Sequence, residues 1–91
     1  MSDLTYLRSP RAVWRLADDR VVVRTVGERT LGAEAEVSGS AVVVWLSLDE
    51  PRTVEGLRAA LVSSGCDDPD VELELALGLL REHALIVEQA S

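Results

Sequence analysis

Residues 38–48, with the sequence SGSAVVVWLSL, determine the fold class that this 91-residue chain is predicted to adopt. Their β-branched valines favour a strand by intrinsic propensity, and periodicity does not distinguish a buried strand from a buried helix in so short an apolar run. The two serines that flank Gly39 are suitable helix N-caps, because a serine hydroxyl accepts a hydrogen bond from a free backbone N–H. These caps favour a helix over residues 41–48, ended by Asp49-Glu50-Pro51, although the residues by themselves leave a strand open.

The sequence before this segment is typical of a three-stranded antiparallel sheet. Residues 12–17 and 20–25 are predicted to form a hairpin around Asp18-Asp19, since the second segment is rich in β-branched residues and the aspartates suit a turn. Residues 29–37 alternate between apolar and polar positions, which predicts the third strand. Residues 1–11 are expected to be a loosely ordered arm or a short edge strand.

Two more helices and a short extended segment are predicted after Pro51. Thr53 is a candidate N-cap for a helix over residues 54–63. Asp68-Pro69-Asp70 provides an N-cap candidate, a proline at the first helical position and an acid, so the third helix is predicted from residue 69 to about residue 83. The predicted fold is therefore α+β, a three-stranded antiparallel sheet followed by three helices. It forms one domain over residues 12–88, with a tail at residues 89–91.

The last predicted helix has two apolar faces. The first face consists of Leu73, Ala76, Leu77, Leu80 and Ala84. The second face consists of Val71, Leu75 and Leu79. One face is enough to pack on the core of the domain, so the second is available for another part of the fold, a symmetry mate or a bound peptide.

Charge and composition exclude several classes of function. The net charge is −7, and it divides into +2 up to Gly32 and −9 from Ala33 onward. Binding to nucleic acid requires a basic surface, so a protein or peptide partner is favoured over DNA or RNA. With one cysteine, Cys66, and one histidine, His83, the chain has neither an intramolecular disulfide nor a zinc site built from these residues. No glycine spacing fits a phosphate-binding loop. We therefore predict a protein that is not an enzyme and that has no metal or cofactor.

The expected location follows from the absence of targeting signals. The apolar runs are too short to cross a membrane, and the first twenty residues have no secretory pattern. A cytoplasmic location without membrane contact is therefore expected.

Three segments resemble the PqqD family. Residues 37–46, VSGSAVVVWL, are similar to the L-(N/T)-x-(T/S)-A-x-x-(I/V)-(W/L)-x-L entry to its first helix. Residues 48–57, LDEPRTVEGL, are similar to its L-D-G-x-R-T-V-x-E-L segment, and residues 85–87 resemble its G-L-V ending. The resemblance covers residues 12–87. The chain departs from the pattern at Glu50-Pro51, where the family has glycine, and at Ala33 or Ala35, where the family often has an aromatic residue.

PqqD-like proteins are the peptide-recognition (RRE) domains of natural-product pathways that modify ribosomally made peptides (RiPPs). The resemblance implies a winged-helix-like fold and a non-catalytic adaptor, or peptide chaperone. Such an adaptor holds the leader segment of a precursor peptide as an added strand along the third strand and against the last helix. It presents this peptide to a modifying enzyme such as a radical-SAM protein, a cyclase or a leader peptidase. An exposed strand edge suits this role, because its unpaired N–H and C=O groups bind an extended chain.

The residues expected to bind the peptide lie on the third strand and on the second face of the last helix. Arg24 and Arg29 are expected to pair with leader carboxylates, and Gly32 and Ala33 to leave room for apolar side chains of the peptide. The full set is Arg24, Arg29, Thr30, Leu31, Gly32, Ala33, Glu34, Ala35, Val71, Leu75 and Leu79.

Two alternatives remain open at this stage. The chain could be a homodimeric or assembly subunit that uses the same surface. It could also be a winged-helix nucleic-acid binder, although the net charge and three acids of the last helix (Glu72, Glu74 and Glu82) argue against this function. Trp14 and Trp45 are predicted core anchors, since the chain has no phenylalanine.

Overall fold

The computed structural model of the chain describes residues 4–25 and 34–90, which form two three-stranded antiparallel sheets and three helices. In chain order the elements are β1 (Leu4–Arg8), β2 (Ala12–Ala17), β3 (Arg20–Thr25), β4 (Ala35–Ser38), α1 (Ser40–Ser47), β5 (Arg52–Thr53), α2 (Val54–Ser63), α3 (Pro69–Glu82) and β6 (Ile86–Ala90). The predicted α+β class is confirmed, and so are the three helices after the β2–β3–β4 strands. No helix in the described part of the chain is both long and apolar enough to cross a membrane.

The first sheet has the strand order β2-β3-β4 and confirms the predicted antiparallel meander. Asp18 adopts a positive φ of 55° in the β2–β3 turn, a conformation that aspartate tolerates better than most residues. Ala35 and Val37 on β4 are buried and Glu36 is exposed, as the alternating pattern predicts. Residues 29–33 of the predicted third strand lie outside the described residues.

The second sheet has the order β5-β1-β6 and was not predicted. Tyr6 of β1 pairs with Arg52 on one side and with Glu88 on the other. The expectation of an arm or edge strand was therefore wrong for Leu4–Arg8, which is the central strand. Residues 89 and 90 of the predicted tail belong to β6. Both strands that flank β1 are far away in the sequence, so a local pattern does not reveal the pairing.

The helix predicted over the valine run is confirmed as α1, but the expected serine caps were wrong. Gly39 is the N-cap residue, with φ 63°, and no side chain caps the helix. Glycine adopts this left-handed conformation without the steric cost that other residues pay. Val44 and Trp45 are fully buried. Burial against the other helices therefore outweighs the β-propensity of the valines.

The starts of α2 and α3 match the predicted positions. The Thr53 hydroxyl accepts a hydrogen bond of 3.1 Å from the Gly56 N–H, which confirms the predicted N-cap. Pro69 occupies the first turn of α3 as predicted, but the Asp68 side chain makes no capping hydrogen bond. The carboxylate of Asp70 instead forms a 2.7 Å ion pair with Arg58 on α2.

The core lies between the two sheets and the three helices. The first apolar face of α3 is buried as predicted, except at Ala84, which lies beyond the helix end and is exposed. Trp45 is fully buried and confirms its predicted role as a core anchor, whereas Trp14 is only partly buried at the edge of the core. The two rings meet edge to face, with centroids 6.0 Å apart.

Candidate functional site

A groove of about 220 Å³ lies between the β4–α1 junction and α3. One wall is formed by the short segment from Ser38 to Ala41, and the other wall by one face of α3. The residues that α3 contributes are Glu72, Leu75, Ala76 and Leu79. The groove therefore joins the end of a strand to an apolar helix face.

The second apolar face of α3 is largely uncovered. Leu75 has 64% of its surface exposed and Val71 has 50%, while Leu79 is half-buried against the edge of the core. Leu75 and Leu79 both line the groove, and Val71 lies one helical turn before Leu75. The described core thus leaves two large side chains of this face available for contact with another molecule.

The edge of β4 opposite β3 pairs with no strand among the described residues. In an antiparallel strand, alternate residues direct their N–H and C=O groups to opposite sides, so part of the β4 backbone faces away from β3. The wall beside it is made of small residues, and a Cβ atom built at Gly39 would meet no atom within 4 Å. Small side chains next to an open strand edge leave space for a second backbone.

The residues predicted to bind peptide fall into three groups. Leu75, Leu79 and Val71 share the apolar α3 face at the groove. Ala35 is 9% exposed and faces the core, so only its backbone is at the edge of β4, whereas Glu34 just before β4 is exposed. Outside the described residues, where these expectations stay predictions, lie Arg29, Thr30, Leu31, Gly32 and Ala33.

Arg24 does not line the groove. It lies on β3, the central strand, where it lines a separate cavity of about 250 Å³ together with Arg15, Val22 and Glu34. None of the residues that line this cavity lines the groove at α3. Arg24 therefore lies outside the groove at α3, on the strand that β4 separates from the edge, and its expected pairing with leader carboxylates stays a prediction.

The sequence pattern missed the charged member of the groove, Glu72. It is half-buried in the α3 wall, three residues before Leu75. On a helical wheel Glu72 falls between the two apolar faces, so it resembles an ordinary solvated residue. Glu72 becomes a groove residue only because the β4–α1 junction lies opposite α3.

Two arginines from the second sheet hold the C-terminal end of α1, the helix whose first residues form a groove wall. Arg8 donates to the carbonyl oxygens of Trp45 and Leu46, and Arg52 donates to that of Ser47 over 2.9 Å. Burial lowers the pKa of Arg8 from its ordinary value, and the charge of Asp49 partly opposes this shift. Since α1 has no basic residue in its own last turn, these arginines supply the positive charge that its carbonyl end favours.

A third arginine holds the C-terminal end of α3. Arg81 donates a 2.9 Å hydrogen bond to the Tyr6 hydroxyl and forms an ion pair with Glu88. Burial acts to lower the pKa of Arg81, but its contacts with Tyr6 and Glu88 outweigh this effect and raise the pKa. Both walls of the groove are thus attached to the second sheet by side-chain contacts.

The single cysteine and the single histidine occupy a loop and a helix end. Cys66 is half-buried against the core in the loop between α2 and α3, and His83 is exposed at the C-cap of α3. Within residues 4–25 and 34–90, no group of three His, Cys, Asp or Glu side chains is arranged to hold a metal ion.

Comparison of the chain with protein-family models, with curated proteins and with solved structures gives no match. The function proposed below therefore rests on the residues and geometry of this chain.

Proposed function

We propose that this protein is a non-catalytic adaptor that binds the leader segment of a ribosomally made precursor peptide and presents it to a modifying enzyme. In this proposal the β2-β3-β4 sheet and the three helices form the winged-helix-like arrangement of PqqD-like domains. The observation that carries the proposal is a groove in which the C-terminal end of β4, an edge strand among the described residues, lies opposite an exposed apolar face of α3.

The β4 edge supports binding of an extended peptide. Strand addition satisfies backbone N–H and C=O groups of both chains, and it gives affinity that depends little on the peptide sequence. β4 has four residues, which corresponds to about 13 Å of extended chain. A short edge of this length suits a segment of a longer peptide, and it presents little surface for uncontrolled sheet growth.

The α3 face supports selection among peptides. In an added strand, alternate side chains point to the same side, so every second residue of the peptide would face Leu75 and Leu79. Burial of one leucine-sized side chain contributes about 1.5–3 kcal/mol. One or two apolar residues at matching positions would therefore distinguish a cognate leader from other extended segments.

An NMR titration of the full-length chain tests the adaptor function. The probe is the leader segment of a small precursor peptide encoded near this gene, added to isotope-labelled protein. We expect amide shifts at residues 35–41 and 71–79, together with slowed hydrogen exchange of the outward N–H groups of β4. The absence of any shift at several hundred micromolar peptide would contradict the proposal.

Two N-methylated isomers of the same peptide separate strand addition from simple apolar contact. One isomer is methylated at the residues whose N–H groups would face β4, and the other at the alternate residues. We expect the first isomer to lose binding and the second to keep it, because only the first loses its donors to the edge. Equal affinities of the two isomers would rule out the added strand.

A homodimer through the same surface is the second candidate. The exposure of Val71 and Leu75 favours it, since uncovered leucine and valine side chains often mark an interface between subunits. Sedimentation over a concentration series distinguishes the two functions. A dimer that persists at nanomolar concentration would favour the assembly subunit, whereas a monomer that binds the peptide would favour the adaptor.

A further inference from the structure

We infer that the peptide segment bound in the groove carries a basic residue two positions away from its apolar anchor, and that Glu72 selects it. This inference rests on the proposed function and specifies its substrate class, an extended peptide with a lysine or arginine next to the anchor. It concerns a different contact from the expected pairing of Arg24 and Arg29 with leader carboxylates, which stays a prediction.

The charges at the groove carry this inference. Among the described residues that line the groove, Glu72 is the one with a charged side chain. Within the described part of the chain no arginine forms an ion pair with it, whereas Glu36 on β4 is paired with Arg20 at 3.4 Å and Asp70 is paired with Arg58. A cation from the bound peptide would therefore meet a half-buried glutamate for which the described arginines provide no ion-pair partner.

The position of Glu72 sets the spacing in the peptide. Along α3, Glu72 lies about 7.5 Å from the midpoint between Leu75 and Leu79, at 1.5 Å per residue. Same-side residues of an extended chain are about 6.7 Å apart. Consider a peptide that runs along α3 with its apolar anchor side chain between Leu75 and Leu79. The peptide side chain two positions away then lies at the level of Glu72.

The net charge of residues 33–91, which include both walls of the groove, also favours a basic peptide. Residues 33–91 carry a formal charge of −9, which attracts basic segments over distances of about a Debye length. A two-fold symmetric pairing of two copies through this groove would instead bring the same acid, Glu72, from each copy into the interface, because each copy contributes the same patch. Charge complementarity therefore favours a basic peptide over a second copy of the chain.

The presence of an acid in the first turn of α3 has one simpler cause, the favourable interaction with the helix dipole. That interaction is independent of the peptide sequence. The test therefore depends on discrimination between peptides, which a purely structural role of Glu72 would leave unchanged.

The test uses three synthetic extended peptides that share a leucine anchor and differ two residues away, where they carry lysine, glutamine or glutamate. Their affinities are measured by fluorescence anisotropy at low salt for the intact protein and for Glu72→Gln, Glu72→Lys and Glu74→Gln. Glu74→Gln is the matched control, since it removes the same charge from an exposed position of α3 that does not line the groove.

We expect the intact protein and Glu74→Gln to bind the lysine peptide about tenfold more tightly than the glutamate peptide, with a smaller ratio at high salt. Glu72→Gln should reduce the ratio to about one, and Glu72→Lys should reverse it. The reversal is a gain of affinity for the glutamate peptide, so loss of folding does not mimic it.

Two outcomes would overturn the inference, and they are distinct. Equal binding of all three peptides to every variant would remove the role of Glu72 while leaving the adaptor function intact. If no peptide binds and no amide of β4 shifts, both the inference and the proposed function are wrong.

Discussion

The guanidinium of Arg8 donates two hydrogen bonds to the carbonyl oxygen of Trp45, with Nη2···O 2.8 Å and Nε···O 3.1 Å. The same guanidinium lies over the rings of Trp14 and Trp45, at 4.7 and 5.2 Å from their centroids. Arg8, on the central strand of the second sheet, thus supplies hydrogen-bond donors at the C-terminal end of α1. The last turn of a helix leaves carbonyl oxygens without partners inside the helix. The first strand of the chain and the helix that lines the groove are one structural unit.

Substitution of Arg8 should reduce stability more than its partial exposure suggests. We expect Arg8→Ala to lower the free energy of unfolding by about 2 kcal/mol, because it removes charged hydrogen bonds to the helix end and two cation–π contacts. Arg8→Lys should recover only part of this loss, since an ammonium lacks the planar fork of donors. Urea denaturation measures both, with Arg11→Ala, an exposed arginine three residues away, as the control. Equal losses for Arg8→Ala and Arg11→Ala would contradict the proposed role.

The case of α1 illustrates what the sequence predicts and why. Its helical state was predicted partly from the flanking serines and partly from the resemblance to the PqqD family, and the structure does not support the first reason, since neither serine side chain caps the helix. The contacts that hold the helix come from Arg8 and Arg52, which belong to strands before and after it, and from full burial of Val44 and Trp45. Tertiary contacts of this kind have no local signal, and for the same reason β1 was not recognised as a central strand.

The candidate site was predictable only in its helical half. Helical spacing alone identified Leu75 and Leu79, because the period of a helix determines which residues share a face. The other wall depends on where the β4–α1 junction lies in space, so neither Gly39 nor the inclusion of Glu72 followed from the sequence. Arg24 was selected for its charge, and its position on β3 places it at a different cavity from the groove.

The buried indole of Trp45 should contribute to stability mainly through the volume that it fills in the core. We expect Trp45→Ala to cost about 3–5 kcal/mol of stability, the range for removal of a fully buried large aromatic side chain. Trp45→Phe should cost clearly less. It keeps most of the apolar contact and removes Nε1, a buried donor with no hydrogen-bond partner in the described structure. Thermal unfolding of both variants measures the difference, and equal costs would indicate that Nε1 has a partner in solution.

The ends of α2 and α3 have the same backbone geometry but different residues at its critical position. After α2, Gly65 has φ 90°, and the N–H groups of Gly65 and Cys66 return to Val62 and Leu61. After α3, the N–H groups of Ala84 and Leu85 return to Arg81 and Leu80 in the same pattern. Ala84, however, has φ 56°, a left-handed conformation that favours glycine.

Substitutions at these two ends should therefore have opposite effects. We expect Ala84→Gly to stabilise the protein by up to about 1 kcal/mol, because it relieves the left-handed strain of alanine. Gly65→Ala should destabilise it by about 1 kcal/mol or more. The urea midpoints of the two single variants should shift in opposite directions. A decrease in stability for Ala84→Gly would show that the unfolded-state entropy of glycine exceeds the strain.

Substitution of Leu75 should separate binding from stability. With 64% of its surface exposed, Leu75 contributes little to the core, so we expect Leu75→Ser to change the free energy of unfolding by less than about 0.5 kcal/mol. The same change should weaken binding of the leader peptide by about tenfold, the loss of one apolar contact of about 1.4 kcal/mol. Val62→Ser is the matched control, since Val62 is 51% exposed on α2 and does not line the groove. If both variants reduce the affinity for the peptide equally, or if neither variant reduces it, the peptide does not occupy the groove at α3. Loss for Leu75→Ser alone would place an apolar side chain of the peptide against this face.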